Sequence, residues 1–335
     1  MKKIQVLDCT LRDGGYVNNW QFGAQAIHDI RHALDRTGVT IAELGFMRNE
    51  AYQPDRAVYS STAQVAEIIG EKDSAMLFAG LIEMANYFPE PMLAPADPAG
   101  PEAIRYSFWK RKIDEAYDYC AHIKEKGYLL CCQPTRVEQY SDADFARMCR
   151  QFSKLKPYAV YIVDTFGLLQ KKDLLRYAQI GHDNLDERIV LGYHAHDNMG
   201  QAFGNACAFL EMDLDRTLQV DASMCGIGRG AGNLKLELIL QYLNDFHGGS
   251  YDLTPIYQMW DQHLGAVKQA HPWGFELPYF IAAAHACNPN YAIYFMDAGM
   301  TVAQIAAAIQ GIEGQDKYLF SPEKARYYRE QVTGV

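Results

Sequence analysis

Two histidines one residue apart, in Gly192-Tyr193-His194-Ala195-His196-Asp197-Asn198, and a distant aspartate, in Asp8-Cys9-Thr10-Leu11-Arg12-Asp13-Gly14-Gly15-Tyr16, are the side chains whose types and spacing point most directly to chemistry. In a β-strand, positions i and i+2 face the same side, so His194 and His196 stand roughly 6–7 Å apart along the chain and can lean onto one ion. A carboxylate such as Asp13 completes a two-histidine, one-carboxylate set that leaves open positions for substrate oxygens. With neutral imidazoles the ligands carry about −1 against a 2+ ion, so the centre remains a net Lewis acid able to hold a developing enolate. A His-x-His pair alone is weak, because buried histidines often only satisfy backbone groups. Its position at a strand end, followed by a helix, adds the weight.

Other residues can serve such a centre. Arg12 has a permanently charged fork suited to a carboxylate or an enolate oxygen. Its structural alternative is an ion pair with Glu43, in Ala42-Glu43-Leu44-Gly45-Phe46, and the two are compatible because a glutamate can orient a working arginine. Thr165, in Asp164-Thr165-Phe166-Gly167, can hydrogen-bond a substrate carboxylate or merely bond its own turn. The run Cys225-Gly226-Ile227-Gly228-Arg229-Gly230-Ala231-Gly232-Asn233 is expected to open a helix, with glycines that let the backbone approach an anion. Its spacing and late position argue against a dinucleotide fingerprint. Asn233 can offer a neutral oxygen to the metal or cap the helix. Cys9 and Cys225 are candidate thiols, although a free cysteine is usually a small buried apolar residue.

These residues must be positioned by strands. Apolar runs rich in β-branched and aromatic residues alternate with segments of helical period, the pattern of βα units. Strands are expected over 4–8, 41–46, 75–81, 104–108, 128–133, 159–164, 189–194 and 217–222, and helices over 24–37, 61–71, 112–126, 142–154, 171–182, 199–211 and 233–246. The proline-rich stretch 89–101 reads as a long loop. Eight alternations suit a TIM (β/α)8 barrel spanning 1–248, with an open doubly wound sheet as the rival. Beyond it, 249–335 reads as a helical C-terminal subdomain, either a cap over the barrel mouth or an interface, with helices near 254–269, 277–287 and 301–312. Its aromatics, among them Trp273, Phe275, Tyr279, Tyr291 and Phe295, are mainly expected in a core.

Bulk properties narrow the function. The 335 residues are 49 % hydrophobic and 21 % charged, enough for a barrel-sized core. A net charge of −10 with no long basic run argues against nucleic acid. The N-terminal apolar run is too short for a signal peptide, and no apolar stretch approaches membrane-spanning length. Eight scattered cysteines lack the density of a disulfide scaffold, which makes a reduced, cytoplasmic setting the expectation.

Taken together, Leu11-Arg12-Asp13-Gly14-Gly15, Glu43, Asp164-Thr165-Phe166-Gly167, His194-Ala195-His196-Asp197 and Gly226-Ile227-Gly228-Arg229-Gly230-Ala231-Gly232-Asn233 resemble the DRE-TIM metallolyase (HMGL-like) superfamily, and the chain looks most like its 4-hydroxy-2-oxovalerate aldolase branch. The resemblance implies Mn2+ or Mg2+ held by Asp13, His194 and His196, with Asn233 as a further ligand, and Arg12 stabilising an enolate. It also implies a metal-dependent aldolase or lyase that makes or breaks a C–C bond next to a 2-keto acid of the pyruvate type, with an aldehyde as partner substrate. A homo-oligomer is expected, as is a partner dehydrogenase of the kind that consumes the aldehyde in that branch. One departure stands out: the branch carries a catalytic histidine four residues after the motif arginine, and here that position is Tyr16. A phenol is a poor base at neutral pH unless its surroundings lower its pKa, which leaves His285 or a C-terminal tyrosine as alternatives. Two rival functions are an acetyl-CoA-dependent Claisen condensation, for which the sequence shows no basic cluster to hold CoA phosphates, and a catalytically weak barrel that serves as a partner subunit.

Overall fold

The computed structural model describes residues 3–72 and 74–334. Eight parallel strands form its centre: β1 (Ile4–Asp8), β2 (Ile41–Met47), β3 (Leu77–Glu83), β4 (Ala103–Trp109), β5 (Leu129–Thr135), β6 (Ala159–Asp164), β7 (Val190–Ala195) and β8 (Leu218–Ala222). Each pairs with its sequence neighbour, and β1 pairs with both β2 (Leu7 with Ile41) and β8 (Val6 with Val220), which closes the sheet. The closure settles the fold as a TIM barrel and removes the open-sheet alternative. A two-residue strand, Val58–Tyr59, adds to the outer end of β2. Next to it the β2–β3 register shifts between Glu43 and Phe46, where a Cβ on Gly45 would lie 2.2 Å from the Ala57 carbonyl oxygen. A bulge of this kind turns the end of a strand and re-aims its side chains.

Seven helices pack outside: α1 (Ala24–Thr37), α2 (Thr62–Ile69), α3 (Ile113–Glu125), α4 (Asp142–Ser153), α5 (Lys171–Asn184), α6 (Ala202–Glu211) and α7 (Leu236–Phe246). Local chemistry explains several ends. Ser61 and Ser141 accept the N–H of Gln64 and Asp144 as N-caps, and α1 stops at Gly38, whose φ of 85° suits a residue without Cβ. Among the described residues no α-helix links β3 to β4, only a single 3-10 turn, Glu90–Met92. The proline-rich connection is instead pinned by side chains of α3 and its end, where Tyr119 and Tyr128 donate to the carbonyls of Phe88 and Ala94.

More helices follow the barrel. Thr254–Met259 continues through a π turn (Trp260–Leu264) into Gly265–Ala270, and Leu277–Ala284, Asn290–Asp297, Val302–Gly311 and Pro322–Thr333 come after it. Tyr279, Tyr291, Phe295 and Ile309 share a core with Ala231 of the glycine-rich run, so these helices rest on the loop after β8. Trp273 ties the same loop down by donating from Nε1 to the Cys225 carbonyl at 3.0 Å. Phe275 departs from the core expectation, with 60 % of its surface exposed.

Candidate functional site

A cleft opens at the carboxyl ends of the strands, the end where barrel active sites lie. Arg12, Asp13, Tyr16, Thr165, His194 and His196 line it, joined by Asn288 from the helices beyond the barrel. Asp13 and the two histidines meet as their spacing suggests. Asp13 Oδ2 is 3.1 Å from His194 Nε2 and 3.3 Å from His196 Nε2, and the imidazole centroids are 5.0 Å apart.

The far nitrogens of both rings are engaged, which decides the direction of the near ones. His196 Nδ1 donates to the Asp164 carbonyl at 2.9 Å, so its Nε2 presents a lone pair to the cleft. His194 Nδ1 lies 3.0 Å from Asp221 Oδ2, a carboxylate that favours the same tautomer. Asp221 Oδ2 also receives Arg105, whose Nη1 is 2.8 Å from Glu43 Oε2. The same Glu43 oxygen takes Arg12 Nε at 2.7 Å, and Arg12 Nη1 returns to Asp13 Oδ1 at 2.9 Å. Six buried side chains from the ends and interiors of five strands therefore form a closed ring: Asp13, Arg12, Glu43, Arg105, Asp221, His194 and back to Asp13. Arg105 and Asp221 are not among the residues expected from the sequence, although a charge inside an apolar strand is itself a signal.

Charge balance shows what the ring can accommodate. With neutral imidazoles, three carboxylates and two guanidiniums leave −1 in a buried place. Asp13 Oδ2, Glu43 Oε1 and Asp221 Oδ1 of the ring, and Asn233 Oδ1 beside His196, are buried oxygens that accept no hydrogen bond. Such groups are costly to bury unless something positive meets them. Burial would raise the Asp13 carboxyl, but Arg12 and the two imidazoles hold it well below the usual range. For His194 burial works downward, and Asp13 and Asp221 outweigh it to raise the pKa. His196 goes the other way, because burial dominates its contact with Asp13. Without a cation His194 therefore takes up a proton more readily than a free imidazole does. The donor set, two imidazole nitrogens, one carboxylate oxygen and the Asn233 amide oxygen, suits a divalent cation that accepts mixed N and O ligands.

Cys9 Sγ also lies within 4.8 Å of ligand atoms of Asp13 and His194. Its thiol donates to the Ala222 carbonyl, and burial pushes its pKa well up, so it stays a protonated apolar residue. His196, through its 3.3 Å approach to Asp13, is the better third member. Asn233 is brought beside His196 for a reason the sequence did not disclose. It forms a bridge pair with His196, its Nδ2 donates to the Ile227 carbonyl, and a Cβ at Gly228 would sit 2.3 Å from that nitrogen. The expectation that this run opens a helix is corrected here: residues 233–235 are extended by bridges to His196 and Ser223, and α7 begins at Leu236, so Asn233 is not its cap.

Thr165 does not bond its own turn. Its Oγ1 accepts the Arg136 N–H at 2.7 Å, which leaves its hydroxyl proton free to donate into the cleft. Tyr16 is boxed by Trp20 and Phe46, with centroids at 4.9 and 5.9 Å, and the Arg229 guanidinium lies over its ring. Burial, with Glu83 adding, raises its phenol above the ordinary value, so Tyr16 holds its proton at neutral pH. Gly14-Gly15 makes this packing possible: a Cβ on Gly15 would fall 1.9 Å from Trp20, and the Trp20 Nε1 donates to the Arg12 carbonyl. His285 does not line the cleft, and Cys225 is engaged through its backbone with Glu237 and Trp273. No helix of the described residues is long and apolar enough to cross a membrane.

Comparison with known proteins adds to this geometry. Residues 107–259 match the family model described as HMGL-like. The chain is 27 % identical over 246 residues to the 4-hydroxy-2-oxovalerate aldolase of Chloroflexus aurantiacus, a match covering 73 % of this chain and 70 % of that one. Among solved structures, the N-terminal domain of a Bacteroides vulgatus protein superposes with a TM-score of 0.74 at 23 % identity, covering 87 % of this chain and 96 % of that one. The HMG-CoA lyase of Brucella melitensis gives 0.60 at 18 % identity, covering 81 % and 99 %. At these identities both structures speak for the fold alone.

Proposed function

We propose that the chain is a member of the HMGL-like superfamily and a divalent-metal-dependent aldolase that forms or cleaves a C–C bond between a 2-keto acid of the pyruvate type and an aldehyde. The observation that carries this reading is the buried ring with its −1 imbalance and its unpartnered Asp13 Oδ2 facing two imidazole nitrogens at the strand ends. Asp13, His194 and His196, with Asn233 as a further donor, are the residues that would hold Mn2+ or Mg2+. When bound, such an ion supplies electrophilic stabilisation for the negative charge that builds on the keto oxygen.

The chain's own residues supply three further roles. Two nitrogens of Arg12 are held by Glu43 and Asp13, and its Nη2 has no acceptor among the described residues, so it is fixed in orientation and able to donate to the oxygen that gains charge in the enolate. Thr165 donates its hydroxyl proton to the substrate carboxylate. In the condensing direction the pyruvate methyl group loses a proton to solvent water, the proton that later restores Tyr16, and the resulting enolate methylene carbon attacks the aldehyde carbon. The C–C bond forms, the carbonyl π pair moves to oxygen, and Tyr16 delivers the proton that oxygen needs. A phenol with a raised pKa suits this donor role and is ill suited to acting as a free base. In cleavage, by microscopic reversibility, Tyr16 first gives its own proton to solvent and then takes that of the aldol hydroxyl as the bond breaks, a direction that its raised pKa makes the harder one.

The test is exchange of the pyruvate methyl protons in D2O, followed by NMR, with metal-stripped protein, Mn2+-loaded protein and Asp13→Asn. Exchange that requires both the ion and Asp13 is the expected result. Its absence from correctly loaded protein would count against enolisation of pyruvate.

A further inference from the structure

The ring uses its arginines in pairs with acids, but three others around the same opening have no carboxylate within ion-pair distance among the described residues: Arg111, Arg136 and Arg229. Arg136 and Arg229 line the cleft that holds Asp13 and the two histidines. Arg136 also lines the adjoining groove with Arg111, and the two spaces share Trp109, Thr135 and Arg136. Unpaired cations gathered at one opening are notable in a chain of net charge −10.

Their placement is constructed rather than incidental. The guanidinium of Arg229 lies 4.9 Å from the Tyr16 ring centroid and that of Arg136 5.8 Å from the Phe166 centroid, so aromatic faces orient both forks. Tyr318, from beyond the barrel, stacks on Phe166 at an interplanar angle of 9° and backs this arrangement. Arg136 adopts a left-handed backbone, φ 57° and ψ 58°, which a non-glycine residue keeps only when its surroundings hold it. The Thr165 hydroxyl does so by accepting its N–H. The nearby acid is Glu138, whose carboxyl oxygens are buried without partners, and burial pushes it up to about 8. It is therefore largely protonated at neutral pH and leaves the charge on Arg136 uncancelled. Burial and the other two arginines shift Arg136 below its ordinary value, as expected of cations waiting for a counter-charge.

We infer that the aldehyde substrate carries an anionic group of its own, a carboxylate or a phosphate, held by Arg136 and Arg229. The inference rests on the aldolase reading above. The keto acid already has Arg12, Thr165 and the Asp13–His194–His196 cluster at its end of the cleft, while Arg229 over Tyr16 lies where the aldehyde oxygen would meet its proton donor. An anion on the acceptor would bridge the two forks and align its carbonyl with Tyr16. Short alkyl aldehydes offer these arginines nothing.

The experiment compares kcat/KM for condensation of pyruvate with propanal, succinic semialdehyde and glyceraldehyde 3-phosphate, using the Mn2+-loaded full chain. An anionic aldehyde is expected to be preferred over propanal by about 10–100-fold, the range of one charge-assisted contact or two. That ratio should collapse toward one in Arg136→Gln and Arg229→Gln and be partly kept in the lysine variants, with circular dichroism confirming the fold of each. The aldehyde whose preference falls most identifies carboxylate or phosphate as the ligand group. Equal or better use of propanal by the parent protein would overturn the inference. So would variants that raise the KM for pyruvate and leave the aldehyde ratio unchanged, because the arginines would then serve the keto acid. Absence of pyruvate methyl exchange in the parent protein would instead remove the aldolase reading, and this inference with it.

Discussion

Replacing Asp221 by asparagine tests whether the buried ring orients the histidine or merely fills space. Asp221 Oδ2 receives both His194 Nδ1 and Arg105, and an asparagine oxygen in the same place could still accept from both. What changes is charge and the other atom. The ring passes from −1 to neutral, which weakens its demand for a cation. The new amide nitrogen takes the position of Asp221 Oδ1, a buried atom with no partner, and so becomes a buried donor without an acceptor. Loss of a carboxylate behind a ligating histidine typically costs about 10–100-fold in metal affinity, or roughly 1.4–2.7 kcal/mol. The unmatched amide N–H should cost roughly 1–3 kcal/mol of folding stability. Mn2+ titration by calorimetry reads the first quantity and denaturant unfolding of metal-free protein the second. Asp8→Asn is the control: Asp8 is a buried carboxylate outside the ring that accepts from Thr10, so it should lose stability without a matching loss of affinity. If Asp221→Asn binds Mn2+ as the parent does, or Asp8→Asn loses as much affinity, the orienting role fails.

Metal binding should release one proton and not two. His194 is raised above its ordinary value and His196 lowered, so just above pH 6.5 the ion displaces a proton from His194 alone. Affinity should then rise with pH and level off once the pH passes the raised His194 value, and calorimetry in buffers of different ionisation enthalpy would count the proton. Tyr16→Phe should lower condensation by about 10²–10⁴-fold while pyruvate methyl exchange persists, because the phenol is assigned to the aldehyde oxygen. Loss of exchange as well would move Tyr16 to the keto acid. Gly15→Ala should destabilise the protein by roughly 1–3 kcal/mol through the collision with Trp20, read as a shifted unfolding midpoint. An unshifted midpoint would mean that the loop relaxes freely.

Much of this architecture was readable in the chain, and the misses have physical causes. Helix 24–37 and strands 4–8 and 159–164 fall where their apolar patterns end. The third strand runs over 77–83 and not 75–81, because Met76 is held in a turn by the Ser74 hydroxyl and because Glu83, which looks like a strand terminator, is neutralised by Arg48 at 2.6 Å. The glycine-rich run misled in a similar way: Gly228 makes room for the Asn233 amide, Gly232 for the Gly226 carbonyl and Gly230 for the Asn198 side chain, and none of them serves a helix N-terminus. Asp13, His194 and His196 were visible because the histidines close β7 and Asp13 sits in the short turn after β1, which brings all three to one mouth. Arg105 and Asp221 were not, because barrel strands are buried on both faces, so the alternation that would say which way a side chain points is missing. The outer faces of these strands meet apolar helix surfaces, where a charge would go unpaired, so Glu43, Arg105 and Asp221 had to turn inward and find one another. Counted with Arg12 and Asp13 they make three acids against two bases, and this imbalance calls for a cation more specifically than the His-x-His spacing does.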